Sequence, residues 1–333
     1  MARVIDLKVG YSCNDACIHC VVDDFREALA ERSQPQDKTL EEIKLELKDA
    51  RKRGDFVVIT GGEPTIRADI ADIFAEAHEL GFGIMMQTNG RRLSSPELAD
   101  KLCAFGPPTF CIALHGPDAS VHEAITQRRG SFSETVQGIS NAVARKAPVI
   151  GKIVLSKLNF SVLPETAAKF AELGVRRINV AFPHAQGRAR KLWEQTVPRY
   201  KDVVPYMRRC LAEAAEKGLA VNGETFMFCH LHGFEHCVAE LGQQLEDYQE
   251  INQYGSDEGP QDWKKIRVSI KSKFPQCASC RFDPICEGPW NEYAEAYGGE
   301  EFIPVPGEKV RNALDIITGR YRDQFPLAFE VLP

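Results

Sequence analysis

The stretch Ser12-Cys13-Asn14-Asp15-Ala16-Cys17-Ile18-His19-Cys20 places three cysteines in Cys-x3-Cys-x2-Cys spacing. It follows directly on Val4–Val9, an apolar-alternating segment that predicts a strand. Thiolates this close together, on a loop leaving a strand, can converge on one small inorganic object. Three ligands with no obvious fourth point to a 4Fe–4S cluster with one iron left open. Zinc normally closes its tetrahedron with a fourth Cys or His, and His19, wedged between two cysteines, is badly placed for that. A disulfide framework fits poorly as well, because the chain shows no signal-peptide pattern and carries an odd count of 11 cysteines.

On these residues the sequence resembles the radical SAM superfamily, whose defining motif is this spacing. The resemblance implies that Cys13, Cys17 and Cys20 hold three irons, while S-adenosylmethionine (SAM) chelates the fourth. It implies reductive cleavage of the sulfonium to a 5′-deoxyadenosyl radical. It also puts His19, in the family's usual aromatic position before the third cysteine, near the adenine. A second motif, Thr60-Gly61-Gly62-Glu63-Pro64, follows the apolar run Phe56–Ile59. Such a run reads as a buried parallel strand, and paired glycines after it permit a tight turn with close backbone approach to a ligand. An ordinary strand-to-helix turn is the plainer reading, since Glu and Pro also suit the first turn of a helix. In the family this segment contacts the SAM amino group, which marks Gly61, Gly62, Glu63 and Pro64.

Further matches to the family run down the chain in order. Met85-Met86-Gln87-Thr88-Asn89-Gly90 resembles a strand ending in polar SAM contacts, here Thr88 and Asn89. Cys111-Ile112-Ala113-Leu114-His115-Gly116 is the next strand, with Ala113 and His115 where the family commonly has Ser and Asp. His122-Glu123 and Gly130-Ser131-Phe132 match the helix that follows in the peptide-modifying branches. Val154-x4-Asn159 resembles the fifth strand and the Asn just past it, which adds Asn159 to the SAM contacts.

Short apolar strands alternate with amphipathic helical patterns. Expected strands are Val4–Val9, Phe56–Thr60, Gly83–Thr88, Thr109–Leu114, Val149–Leu155 and Arg177–Phe182. Expected helices are Leu40–Arg53, Ala68–Leu80, Pro96–Ala104, Phe132–Ala144 and Pro164–Leu173, the first with an apolar stripe at Ile43, Leu47 and Ala50. Repeated strand–helix units imply a parallel sheet with right-handed crossovers. Six units are too few for a closed eight-stranded barrel. The expected fold is therefore α/β, a partial (β/α)6 TIM-like barrel with its chemistry at the C-terminal strand ends. The expected division is a core at residues 1–195 and a C-terminal domain at 196–333, opening with one long helix, Tyr200–Lys217. The polar stretch Leu245–Gln261 reads as a surface loop.

A second cysteine run, Cys277-x2-Cys280-x5-Cys286-Glu287-Gly288-Pro289-Trp290, is a metal signature in its own right. A zinc ribbon fragment is one reading. In this context the run resembles the SPASM/twitch extension, which carries auxiliary iron–sulfur clusters. A full SPASM run would have a further cysteine where Trp290 stands, so the resemblance implies one auxiliary 4Fe–4S cluster in a shortened, twitch-like domain. Its fourth ligand is expected upstream, at Cys229 after an expected hairpin, with Cys237 the competitor and mid-helix Cys210 a weaker one. Cys103 and Cys111 read as small buried residues. His230, His232 and His236 read as loop histidines with zinc binding the lesser reading, Arg128-Arg129 equally as a contact to SAM or a substrate carboxylate or as a solvated pair, and Trp290, Tyr293 and Tyr297 as packing around the second cluster.

The chain of 333 residues, 44% hydrophobic and 26% charged, is ordinary for a globular protein. Its net charge of −6 gives no reason to expect nucleic acid, and no apolar run reaches membrane-spanning length. Thiols at cluster spacing suit a reducing cytoplasm. The leading functional expectation is hydrogen abstraction from a ribosomally made peptide, ending in a crosslink, thioether or epimerisation. Flavodoxin or ferredoxin is the expected electron donor. A triad starting at residue 13 leaves no room before it for a fused leader-binding domain, so a separate leader-binding protein is expected. The alternative is a small-molecule radical SAM dehydrogenase or cofactor-biosynthesis enzyme. A non-catalytic iron–sulfur sensor is disfavoured by the intact SAM motifs.

Overall fold

A computed structural model describes residues 3–245, 248–255 and 259–318. Nine strands form one sheet: β1 (Arg3–Lys8), β2 (Phe56–Thr60), β3 (Gly83–Thr88), β4 (Thr109–Ala113), β5 (Val149–Val154), β6 (Arg177–Ala181), β7 (Ala220–Glu224), β8 (Tyr248–Asn252) and β9 (Gln261–Asp262). Their spatial order is β7-β6-β5-β4-β3-β2-β1-β8-β9. Every neighbouring pair from β7 to β8 is parallel, and only β9 runs antiparallel. The sheet is an open barrel, because β7 and β9 end the order without meeting.

The expected six strands are all present and consecutive in space. Each is followed by at least one helix, as parallel crossovers require. Local chemistry explains the first crossover well. Thr39 caps helix Leu40–Ala50 in a reciprocal capping box with Glu42, and the stripe Ile43, Leu47 and Ala50 is wholly buried against the sheet. The core continues through Val57, Ile59, Met86, Phe110, Ile112, Ile153, Phe170 and Val180 into Tyr200, Met207, Phe226 and Phe228. Burial of this kind contributes about 1.5–3 kcal/mol for each large side chain.

Three features differ from expectation. Tyr248–Asn252, inside the stretch read as a surface loop, is a strand that pairs parallel with β1. Its polar sequence hides it; Arg53 meets the buried Glu250 with two hydrogen bonds of 2.7 and 2.9 Å. The segment before Cys229 is no hairpin. Ala220–Glu224 adds parallel to β6, and Gly223 within it also bridges in parallel to Val238. Finally, the sheet runs across the expected division at 195/196, since β7, β8 and β9 lie beyond it in sequence.

Candidate functional site

The loops after β1, β2, β3, β4, β6 and β7 surround a cavity of about 460 Å³ at the C-terminal ends of the strands. Cys13, Cys17 and Cys20 all line it, with His19, Gly61, Gly62, Glu63, Thr88 and Asn89. The sequence motifs thus converge on one hollow.

The cysteine loop is held from several sides. Ala16 N donates to Thr126 O at 3.0 Å, and Ile18 N to Ile125 O at 3.0 Å. Arg91 donates to Asn14 O and to the Asp15 carboxylate, each at 2.7 Å. Behind the third cysteine, Arg188 N donates to Cys20 O at 2.9 Å. The paired glycines meet the chain itself. Gly62 N donates to Gly10 O and Glu63 N to Ser12 O, both at 2.9 Å. A Cβ on Gly61 would collide with Gly10 O, and one on Gly62 with the carbonyls of Tyr11 and Ser12. The glycines therefore let the loop after β2 lie flush against the cysteine loop.

Glu63 is the hub between loops. One carboxylate oxygen accepts from Thr65 N (3.0 Å), the Thr65 hydroxyl and the Thr88 hydroxyl (2.6 Å); the other accepts from Asn89 N at 2.6 Å. Burial raises its pKa against these donors. Asn89 extends the network by donating from its amide to Asn14 Oδ1 at 2.7 Å. Pro64 opens a short 3-10 turn and is buried outside the cavity lining. Asn159 departs further from its expected place. Its Oδ1 accepts from Ser156 N and Oγ, and its Nδ2 donates to His115 O and Val154 O, at 2.7–3.1 Å. All four hydrogen-bonding capacities of the amide are filled by the chain, and Asn159 does not line the cavity; here it braces the loop after β5.

His19 is half-buried, with its ring edge-on to His115, centroids 4.7 Å apart. His115 in turn stacks on His122 at 5.8 Å. His115 N donates to His122 Nδ1 at 3.1 Å and Val154 N to His115 Nδ1 at 3.3 Å, so both rings act as acceptors at Nδ1. Burial lowers the pKa of His122 to about 4, assisted by the Arg91 charge, and lowers that of His115 well below its usual value. His115, standing where the family has Asp, is thus a neutral ring in the cavity wall.

Several lining residues carried no sequence motif: Lys152 on β5, Asn179 on β6, Glu224 on β7 and His184; Gln87 and Trp290 lay inside motifs but were not singled out as cavity residues. The signal for the first three is a polar residue within a strand or, for Glu224, at its C-terminal end, on the cavity face by the period of two. Cys111 also lines the cavity instead of merely filling core. Trp290 stacks on His184 with centroids 4.1 Å apart. It brings the C-terminal cysteine segment to the wall of the main cavity, whereas Tyr293 and Tyr297 pack among Tyr200, Trp193 and each other.

The second cysteine set also converges. Cys229, Cys277, Cys280 and Cys286 line one small hollow walled by Phe228, Phe282 and Phe302. Burial raises the Cys229 pKa, and the other three thiols push it further; burial takes Cys286 to about 12. Cys237 lies outside this hollow, its Sγ 3.3 Å from His236 Nε2. His230 stacks on Tyr200, and His232 pairs with Glu235 at 2.7 Å.

The donor chemistry of the first set fits an iron–sulfur cluster with an open iron. It offers three thiols on one loop. Burial raises Cys13 to about 11 and Cys17 well above its usual value. Such thiols ionise only against a bound cation. Among the described residues no three His, Cys, Asp or Glu side chains close on a single ion, as a lone zinc would need.

Comparison with known proteins finds similarity over much of this site. Residues 7–159 match the Radical SAM superfamily. The chain is 33% identical over 197 residues to the mycofactocin maturase MftC of Mycolicibacterium smegmatis, covering 57% of this chain and 47% of that one. The chain thus spans about half the length of that relative. It is 28% identical over 329 residues to the AdoMet-dependent heme synthase of Methanosarcina barkeri, covering 86% of this chain and 90% of that one. Among solved structures, Streptococcus suis SuiB bound to its precursor peptide SuiA superposes with a TM-score of 0.63 at 16% identity, over 91% of this chain and 74% of that one. This likeness establishes the open-barrel fold. No helix among the described residues is long and apolar enough to cross a membrane.

Proposed function

We propose that this enzyme takes a hydrogen atom from a peptide substrate in a maturation reaction. The observation that carries the reading is the single cavity shared by the Cys13–Cys20 loop, the Glu63 network and Trp290 from the C-terminal cysteine segment. A 4Fe–4S cluster with SAM, when bound, supplies reductive cleavage to a 5′-deoxyadenosyl radical able to abstract hydrogen from an unactivated carbon. Cys13, Cys17 and Cys20 would hold that cluster. Glu63, Thr88 and Asn89 form the polar wall beside it, and His19 offers a neutral ring for the adenine. Cys229, Cys277, Cys280 and Cys286 would hold one auxiliary cluster, with Cys229 favoured over Cys237 because it shares the hollow. A relative named as a mycofactocin maturase, and a solved structure of similar fold bound to a precursor peptide, support a peptide substrate. Flavodoxin or ferredoxin as electron donor, a separate leader-binding protein and a cytoplasmic setting complete the proposal.

A small-molecule substrate is the second reading, favoured by the 90% coverage of a heme synthase. The deciding experiment is anaerobic. Reconstituted protein is assayed for iron and for 5′-deoxyadenosine release with SAM and dithionite, and a short peptide encoded beside the gene is followed by mass spectrometry. About eight irons per chain, falling to about four in Cys13→Ala/Cys17→Ala/Cys20→Ala, is expected. About four in the wild type and none in that variant would remove the auxiliary cluster. An unchanged peptide mass, with nucleoside released at full rate, would move the assignment to the small molecule.

A further inference from the structure

Lys152, Asn179 and Glu224 form a polar row across three adjacent parallel strands. Lys152 and Asn179 are direct register partners on β5 and β6, and Glu224 on β7 lies beside Ala181, two residues further along. All three line the cavity, on the strands farthest in sheet order from the cysteine loop on β1. Lys152 Nζ reaches across β6 to form an ion pair with Glu224 Oε2, their side chains 24% and 27% exposed. The Asn179 Oδ1 is buried without a hydrogen-bond partner. Interior positions of a small barrel are usually filled by apolar side chains, and an ion pair there contributes little stability beyond what a hydrophobic pair would give. Nothing in the fold's packing requires these three residue types.

We propose that Lys152, Asn179 and Glu224 are a cradle for an uncharged amide of the substrate. This rests on the peptide reading above and deepens it. The argument is one of charge. Lys152 and Glu224 neutralise each other, so a lone carboxylate drawn to Lys152 would leave Glu224 unpaired beside a like charge. A lone ammonium at Glu224 would strand Lys152 in the same way. Removing one partner of a poorly solvated pair is costly. An amide breaks nothing. Lys152 has three N–H donors and Glu224 about four lone-pair positions, so each keeps capacity after pairing with the other. The amide oxygen accepts from Lys152, the amide N–H is taken by the free lone pairs of Glu224, and Asn179 offers the same donor–acceptor pair between them. Trp290, stacked on His184, supplies an apolar flank to the cavity.

The test uses the full reconstituted protein with SAM and three probes. These are a pool of N-acetylated, C-amidated random tetrapeptides, the same pool with a free C-terminal carboxylate, and a mixture of free amino acids. Retention on ultrafiltration is read by mass spectrometry. The wild type should retain the capped pool best. The double variant Lys152→Met/Glu224→Leu, which leaves no unpaired charge behind, should retain it about tenfold less, as should Asn179→Leu. Thermal melting checks that each variant folds. Preference for the free carboxylate or the free amino acids would overturn the amide assignment and leave the enzyme's peptide or small-molecule nature to the mass assay. Undiminished retention by a folded double variant would overturn it equally. Retention of none of the probes by the wild type would sink the peptide reading and this inference with it.

Discussion

Glu63 shows how far one carboxylate can fix a site. Each of its oxygens faces a backbone N–H, Thr65 N on one side and Asn89 N on the other. A glutamine in its place must turn its NH2 toward one of them, whichever way the amide is flipped. Glu63→Gln is therefore expected to lose about 1–3 kcal/mol of stability, the cost of leaving a buried donor unmatched. Urea denaturation reads this directly, and an unchanged midpoint would show that the network relaxes. His122 carries a pH signature. Its Nδ1 already accepts the His115 N–H, and burial and Arg91 hold its pKa at about 4 against an ordinary 6.5. The unfolded chain takes up a proton as pH falls through 6.5, whereas the folded chain does not until about 4. His122 therefore contributes stability that is complete above pH 6.5 and drains away toward pH 4, on the order of 3 kcal/mol at the acid end. In His122→Asn, which keeps an acceptor for His115 N, the dependence of unfolding free energy on pH should be shallower by up to one proton across that window. An equal slope in both proteins would place the acid sensitivity elsewhere.

At the scale of elements, the legible parts of the sequence were those whose reasons are local. The runs Phe56–Thr60 and Thr109–Ala113 are strands because short β-rich apolar segments bury well between helices, and Ile43, Leu47 and Ala50 lie on one buried stripe as their spacing predicts. Cysteine spacing named the chemistry of the loop after β1 for the same reason. What the sequence concealed depends on partners far along the chain. Glu250 makes β8 look like a solvent loop until Arg53, far off in sequence, comes to meet it. Lys152, Asn179 and Glu224 face one cavity only because β5, β6 and β7 share a register. Asn159 matched a motif by position, yet its amide is filled by its own loop and by His115 O after β4. The Arg53–Glu250 pair also gives β8 a measurable handle. In Arg53→Met the Glu250 carboxylate, 2% exposed at its side chain, loses its bidentate partner. Arg53 is itself 30% exposed, so the loss is expected at about 2 kcal/mol, below the 3–5 of a fully buried pair. Faster hydrogen exchange at β1 and β8 amides, with the rest of the sheet unchanged, would mark the edge loosening. Uniform exchange across the sheet would mean that β8 does not depend on this pair.

Across the whole molecule, a buried chain of four charges ties the cavity to the second cysteine set. Lys271 Nζ donates to Glu240 at 2.8 Å and Glu287 at 2.9 Å. Glu240 accepts from Thr225 N, at the cavity end of β7, and Glu287 adjoins Cys286 while receiving two hydrogen bonds of 2.8 Å from Arg267. The Lys271 ammonium also lies 4.8 Å from the centre of the Trp290 ring. One ammonium thus contacts the first residue of helix Glu240–Leu245, the residue after Cys286 and the Trp290 ring of the cavity wall, and its side chain is only 1% exposed. Lys271→Met would leave Arg267 to balance Glu287 and nothing of like strength to balance Glu240. The expected destabilisation is about 3–5 kcal/mol, with Lys271→Met/Glu240→Gln recovering part of it because no charge is then stranded. If the network also fixes Trp290, the single variant should alter the fluorescence of that indole before global unfolding, a change that loss of stability alone does not produce. Equal denaturation midpoints for Lys271→Met and wild type would mean that the two cysteine-bearing regions are joined by apolar packing alone.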